Sequence, residues 1–125
     1  MPESHRIDIE VETEFVAAQS APDQRRFAFA YTITIHNTGE VAVKLLSRHW
    51  LITDGNGNVQ EVTGDGVVGE QPYLAPGEGF RYSSGAMLET PVGAMEGKYH
   101  LRADDGREFD APIPAFTLAV PNLLH

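Results

Sequence analysis

The chain contains no cysteine. Disulfides, thiolate zinc sites and cysteine nucleophiles are therefore excluded, and a reducing compartment, the cytoplasm, is the expected location. Long apolar runs are also missing, with none near the roughly 20 residues that cross a bilayer. The opening segment MPESHRIDIEVE does not show the charged-then-apolar order of a signal peptide. Basic side chains are few: nine against eighteen acidic ones, a formal net charge of -9. Such a field repels nucleic acid and anionic membrane and favours divalent cations or basic protein patches as partners. No segment holds a helical period over several turns.

What the chain does have is alternation. Its 125 residues, 42% of them hydrophobic, suffice for one domain with a real core. From Arg6 to Phe15, Ile7, Ile9, Val11, Thr13 and Phe15 alternate with Asp8, Glu10, Glu12 and Glu14, the pattern of a half-buried strand. The acids on its outer side would protect an edge against pairing with another chain. After the polar connection QSAPDQ, Arg26–Asn37 turns Phe27, Phe29, Tyr31, Ile33 and Ile35 inward, and Asn37-Thr38-Gly39 makes a turn. Apolar parity switches between Leu45 and Leu46, which marks a β-bulge or a passage between sheets. Asp54-Gly55-Asn56-Gly57 supplies a hairpin turn between Leu51–Thr53 and Val59–Thr63.

Pro76-Gly77 suits a type II turn leading into a strand at Phe80–Ser84. The glycine-containing stretch TPVGAMEG, Thr90 to Gly97, reads as a loop. Lys98–Ala103 and Arg107–Ala111 pair across Asp104-Asp105-Gly106, with Lys98, His100 and Arg102 opposite Glu108 and Asp110. Pro112 and Pro114 interrupt the last strand and place it at an edge or crossing. The tail PNLLH reads as loosely attached. Some seven or eight short strands at regular spacing imply an all-β antiparallel sandwich.

Gly64-Asp65-Gly66-Val67-Val68-Gly69 carries the spacing GxGxxG. In a dinucleotide fold this loop opens a helix whose free amides meet a pyrophosphate. Here Pro72, Pro76 and Gly77 follow and forbid that helix, so the dinucleotide fold is excluded. A helix-free nest of amides remains open, with Arg48 and Arg81 as the cations able to reach it from strands. Against it stand Glu61, Asp65, Glu70 and Glu78, four acids with no lysine or arginine between Gln60 and Phe80. Each costs a nearby phosphate about 1 kcal/mol even in water.

Five histidines occur without the HxxxH or HExxH spacing of a metal site. No metal ligand set is assigned. Ser83-Ser84-Gly85 lacks a nucleophile elbow, and no acid pair lies in an apolar setting, so no catalytic residue is assigned. Tyr73, Leu74, Met87, Leu88 and Met95 sit in or beside the longer loops. If those loops converge they form either an adaptable protein-binding rim or a plug for the open core; both readings stand.

Four segments together, RHWLITDGNG (Arg48–Gly57), VTGDGVVGEQPYLAPG (Val62–Gly77), FRYSSGAMLETPVGAMEGKY (Phe80–Tyr99) and IPAFTLAVP (Ile113–Pro121), resemble the ApaG family in colinear order over nearly the whole chain. The resemblance implies a fibronectin type III-like sandwich with Trp50 on a central strand. It implies no established activity, but a link to cobalt resistance and magnesium efflux and a gene beside that of a diadenosine tetraphosphatase. Related eukaryotic domains, in F-box proteins and a polymerase delta-interacting protein, look like recruitment modules. The family's suggested pyrophosphate site falls on Gly64, Gly66 and Gly69. Two expectations follow: a non-catalytic module whose loop end, Gly64–Gly77 with Thr90–Met95, binds a protein; or a nucleotide or pyrophosphate binder with Mg²⁺ or Co²⁺ as counter-ion.

Overall fold

The computed structural model describes residues 5–121, so the expectation for the tail falls, apart from Pro121, outside the described residues. Alternation produces strands where it was read. Strands β1 (Ile7–Phe15), β2 (Phe27–Asn37) and β6 (Gly79–Leu88) form an antiparallel sheet in the order β1-β2-β6. Strands β4 (Val59–Asp65), β3 (Val43–Asp54), β7 (Val92–Ala103) and β8 (Glu108–Ala119) form the second sheet in that order, and the two-residue β5 (Tyr73–Leu74) adds to β3 beyond the end of β4. The result is the expected all-β sandwich.

Phe29, Tyr31, Ile33 and Ile35 of β2 are buried against Leu45, Trp50, Tyr99, Leu101 and Leu118 of the larger sheet. Trp50 is 2% exposed. Its ring meets Tyr31, Phe116 and Tyr99 edge-on at centroid separations of 5.5, 5.9 and 6.5 Å, a geometry that suits the aromatic quadrupole. Its indole Nε1 is buried with no hydrogen-bond partner among the described residues. That cost, about 1–3 kcal/mol, is set against the packing of the ring.

The parity switch at Leu45/Leu46 is a bulge: the β3–β7 register shifts between Leu45 and Ser47, and β3 stays in one sheet. The bulge aims the Leu46 carbonyl at the glycine-rich loop. Asn37, read only as a turn residue, is a fully buried strand terminus. Its Nδ2 donates to the Val41 and Leu74 carbonyls, both at 3.0 Å, and its Oδ1 accepts from the Gly39 amide at 3.0 Å.

Two expectations are corrected. Thr90–Gly97 is not a loop, since β7 begins at Val92. Its glycines mark close approach between strands: a Cβ on Gly93 would lie 2.7 Å from the Thr53 carbonyl oxygen, and one on Gly97 would overlap that of His49. Of the β8 prolines only one interrupts the ladder: the register with β7 passes from Ile113 to Phe116 and skips Pro114. The strand pairs with β7 on one side only, and Pro112 keeps its register place opposite Lys98. An edge strand tolerates a residue without an amide proton.

Candidate functional site

The glycine-rich segment leaves β4 and closes in a two-residue turn. Val67 and Glu70 exchange backbone hydrogen bonds at 2.8 and 2.9 Å, and the central pair, Val68 and Gly69, has φ of 41° and 83°. Positive φ at both centres is the type I′ pattern. Val68 has no business there sterically: a β-branched side chain at positive φ is strained. Beside it Val67 is fully buried and plugs the core. Gly66, at φ 60°, must be glycine twice over, because a Cβ would overlap the Glu70 carbonyl oxygen.

The loop encloses a cation rather than an anion. Arg48 on β3 pairs in register with Gly64, and a Cβ on that glycine would lie 2.8 Å from Arg48 Nη1. Nη1 donates to the carbonyls of Asp65 and Gly66, each at 3.0 Å. The Gly66 amide is spent on the Leu46 carbonyl at 2.8 Å, and those of Val67 and Glu70 on each other's carbonyls. Among the described residues only the Val68 and Gly69 amides of the turn have no hydrogen-bond partner. Arg81 stays away. It lies on β6 in the other sheet, on the outer face, with Nη1 3.3 Å from Thr34 Oγ1 and Nη2 3.4 Å from Glu12.

The five rim candidates also separate. Leu74, Leu88 and Met95 are core residues, 4%, 3% and 1% exposed. Tyr73 and Met87 are exposed but sit at opposite ends of the sandwich: Tyr73 pairs with Lys44 at the start of β3, whereas Met87 lies beside the β3–β4 hairpin. Tyr73 donates to Asp104 of the β7–β8 turn, and that hydrogen bond holds its phenol above the usual range. The loops therefore do not converge; β7 runs from the Met87 end to the Tyr73 end, with Gly93 opposite Asp54 and Ala103 opposite Val43.

At the Met87 end lies a cavity of about 270 Å³ lined by Ile52, Val59, Gln60, Met87 and Leu88, with Asp54, Asn58 and Glu89 at its polar side. Val59 is 61% and Met87 52% exposed. Asp54 organises the hairpin: its Oδ1 accepts from the amides of Asn56 and Asn58 at 2.8 and 2.9 Å, and its Oδ2 from Asn58 Nδ2 at 3.1 Å. The Asn58 side chain above all, with the backbone amides, holds its carboxyl below the usual range against the opposing effect of burial. Val59 was missed in the sequence, although it shares a face with Glu61, Thr63 and Asp65 and so breaks their polar pattern.

Other polar groups pair locally. On the outer face of the larger sheet, His100 Nδ1 and Nε2 each lie 2.7 Å from a carboxylate, of Asp110 and Glu108 respectively, and Lys98 lies 3.4 Å from Asp110. His49 Nε2 bonds Glu61 at 2.5 Å. The first arrangement is the cross-strand pairing expected; the second, across β3 and β4, was not read from the sequence. In the core, the Tyr82 and Tyr99 hydroxyls bond each other at 2.5 Å. Desolvation pushes Tyr82 up to about 12 and Tyr99 up as well. Both are neutral structural groups.

The ApaG domain family matches residues 17–103, which hold β2 to β7 and the whole glycine-rich segment. The chain belongs to the ApaG family. Protein ApaG of Azoarcus sp. strain BH72 is 63% identical over 123 residues, 98% of this chain and 97% of that one. Protein ApaG of Pseudomonas syringae pv. tomato is 57% identical over 121 residues, 97% of this chain and 96% of the relative. The crystal structure of the putative ApaA protein from Bordetella pertussis superposes with a TM-score of 0.95 at 47% identity, covering 98% of this chain and all of that one. ApaG membership accounts for the fibronectin-like sandwich. Among the described residues no helix is long and apolar enough to cross a membrane.

Proposed function

We propose that this ApaG domain is a non-catalytic module that binds a protein partner in the cytoplasm. The observation that carries the reading is the pairing of Val59 and Met87: two large apolar side chains, more than half exposed, lining one cavity at the hairpin end. An apolar centre with a polar border is the usual make-up of a recognition patch. The cobalt and magnesium phenotypes that the family resemblance implies would then run through that partner. A photo-crosslinking residue in place of Met87 in living cells tests this. A discrete protein adduct that Val59→Asp abolishes, and that a crosslinker at Glu10 does not form, supports it; adducts indifferent to Val59→Asp count against it.

A second reading, pyrophosphate or metal-nucleotide binding at Gly64–Gly69, has the unpartnered amides of Val68 and Gly69 in its favour. Against it, the remaining loop amides are committed, and the loop carbonyls face Arg48. It ranks below protein binding. Titration of the protein with pyrophosphate, with and without Mg²⁺, distinguishes the two.

A further inference from the structure

A two-sheet sandwich has four unpaired strand edges, and each is a template for another chain unless guarded. In this fold they belong to β1, β6, β4 and β8. Three are guarded by recognisable means. β1 carries Asp8, Glu10, Glu12 and Glu14; β8 contains Pro112 and Pro114; β4 carries Glu61 and Asp65, with Gly64 beneath the Arg48 guanidinium.

β6 has none of these. Its ten residues, GFRYSSGAML, include no proline and no acid. Its single charged side chain, Arg81, folds back across the outer face towards Thr34 and Glu12, and Ser83 turns the same way to bond Thr32 at 2.7 Å. Ser84, Gly85 and Ala86 are too small to overhang the strand. Among the described residues β2 is its only partner strand, and no backbone hydrogen bond from Gly79–Leu88 lies outside that ladder. Every second residue of β6 therefore presents its amide and carbonyl outward.

This edge runs into the cavity at the hairpin end. Leu88 supplies buried and Ile52 half-buried apolar surface there, Val59 and Met87 exposed surface, and Asp54 and Glu89 negative charge. Glu89 makes only a loose pair with Arg25, 3.6 Å apart and exposed on both sides. Charge selects the occupant. The chain's formal charge of -9 and the two carboxylates favour a basic segment. A second copy is a poor fit, because it brings the same negative charge and the only basic residue of its own β6 is already engaged.

We propose that the free edge of β6 takes up an extended, basic segment of a partner protein as a fourth strand of the smaller sheet. One apolar side chain of that segment fills the cavity between Ile52 and Leu88, and a neighbouring lysine or arginine meets Asp54 and Glu89. The ladder supplies affinity and the cavity supplies side-chain selection, as in other strand-addition complexes. This rests on the protein-binding reading above and adds the surface and the chemistry of the ligand.

The test uses the full chain, ¹⁵N-labelled, with an eight-residue peptide alternating valine and leucine with lysine and threonine. Amide hydrogen exchange and chemical shifts are followed along Gly79–Leu88. The expected result is new protection of alternate β6 amides, loss of binding when glutamate replaces lysine in the peptide, and loss when alternate peptide amides are N-methylated. Met87→Lys should weaken binding by roughly tenfold or more, and Val59→Lys repeats that test from β4 should the first variant not fold. Shifts that survive N-methylation overturn strand addition. Binding on another surface overturns the β6 assignment while leaving the protein-binding reading intact. Peptide-independent dimerisation through β6, or silence at millimolar peptide, also overturns the proposal; the crosslinking experiment separately decides whether a protein is bound at all.

Discussion

Substituting the three glycines of Gly64–Gly69 one at a time gives a graded result if the loop is a core plug built around Arg48. Gly66→Ala is the severe change. Alanine at φ 60° costs about 1–2 kcal/mol in backbone strain. Its Cβ would also overlap the Glu70 carbonyl oxygen and lie 2.8 Å from the carbonyl carbon, backbone that cannot swing aside. The turn must open, which breaks the Val67–Glu70 pair and withdraws the fully buried Val67. Losing even half of that burial adds about 1–2 kcal/mol and the hydrogen bonds about 1 more. The total, about 3–5 kcal/mol, is a large part of a typical domain's stability. For a chain of this length it lowers Tm by roughly 10–25 °C. Gly64→Ala displaces only a flexible guanidinium and should cost about 1–3 kcal/mol through its two hydrogen bonds. Gly69→Ala meets nothing within 4 Å and pays only for φ 83°, about 1 kcal/mol. Urea denaturation with matched m-values measures all three. Equal losses at Gly66 and Gly69 would refute this account of the loop.

Asn37→Ala strips the Val41 and Leu74 carbonyls and the Gly39 amide of their partner in a buried site, and should cost about 2–4 kcal/mol by the same denaturation. Val68→Gly relieves a β-branched residue at φ 41° and should raise stability by about 1 kcal/mol, visible as a higher midpoint. His100, raised above 6.5 first by Asp110 and then by Glu108, contributes stability that is fully present below pH 6.5 and is lost as pH rises through its folded-state value. Asp110, held low chiefly by His100, reports the same contact from the acid side, where stability falls as pH drops through its depressed pKa. His100→Gln should therefore flatten the pH dependence of Tm above pH 6.5, and an unchanged slope would count against the pair.

Alternation was legible where one face of a strand meets the core and the other meets water, as in β1 and β2. The Asp54–Gly57 turn, the Pro76-Gly77 turn and the Leu45/Leu46 bulge were legible because each depends on local φ or parity. Gly77 at φ 89° and the Glu78 amide 2.9 Å from the Ala75 carbonyl complete that second turn. The start of β7 was not, because Gly93 and Gly97 are demanded by the neighbouring backbone of β3, which local sequence does not encode. Arg81 was misplaced for a related reason: alternation says that a side chain points outward but not which sheet it points from. Leu88 was legible in principle, since it keeps parity with Tyr82, Ser84 and Ala86. The separation of Tyr73 from Met87 depends on strand order, which only the assembled sheets define.

The most direct measurement of the central claim is an amide-resolved NMR titration with pyrophosphate and with diadenosine tetraphosphate, each with and without Mg²⁺. A loop that encloses Arg48 and spends all but its Val68 and Gly69 amides internally predicts no saturable shift across Gly64–Gly69 at millimolar ligand. Saturable shifts centred on Val68 and Gly69 would contradict the account and make this a phosphate-binding module.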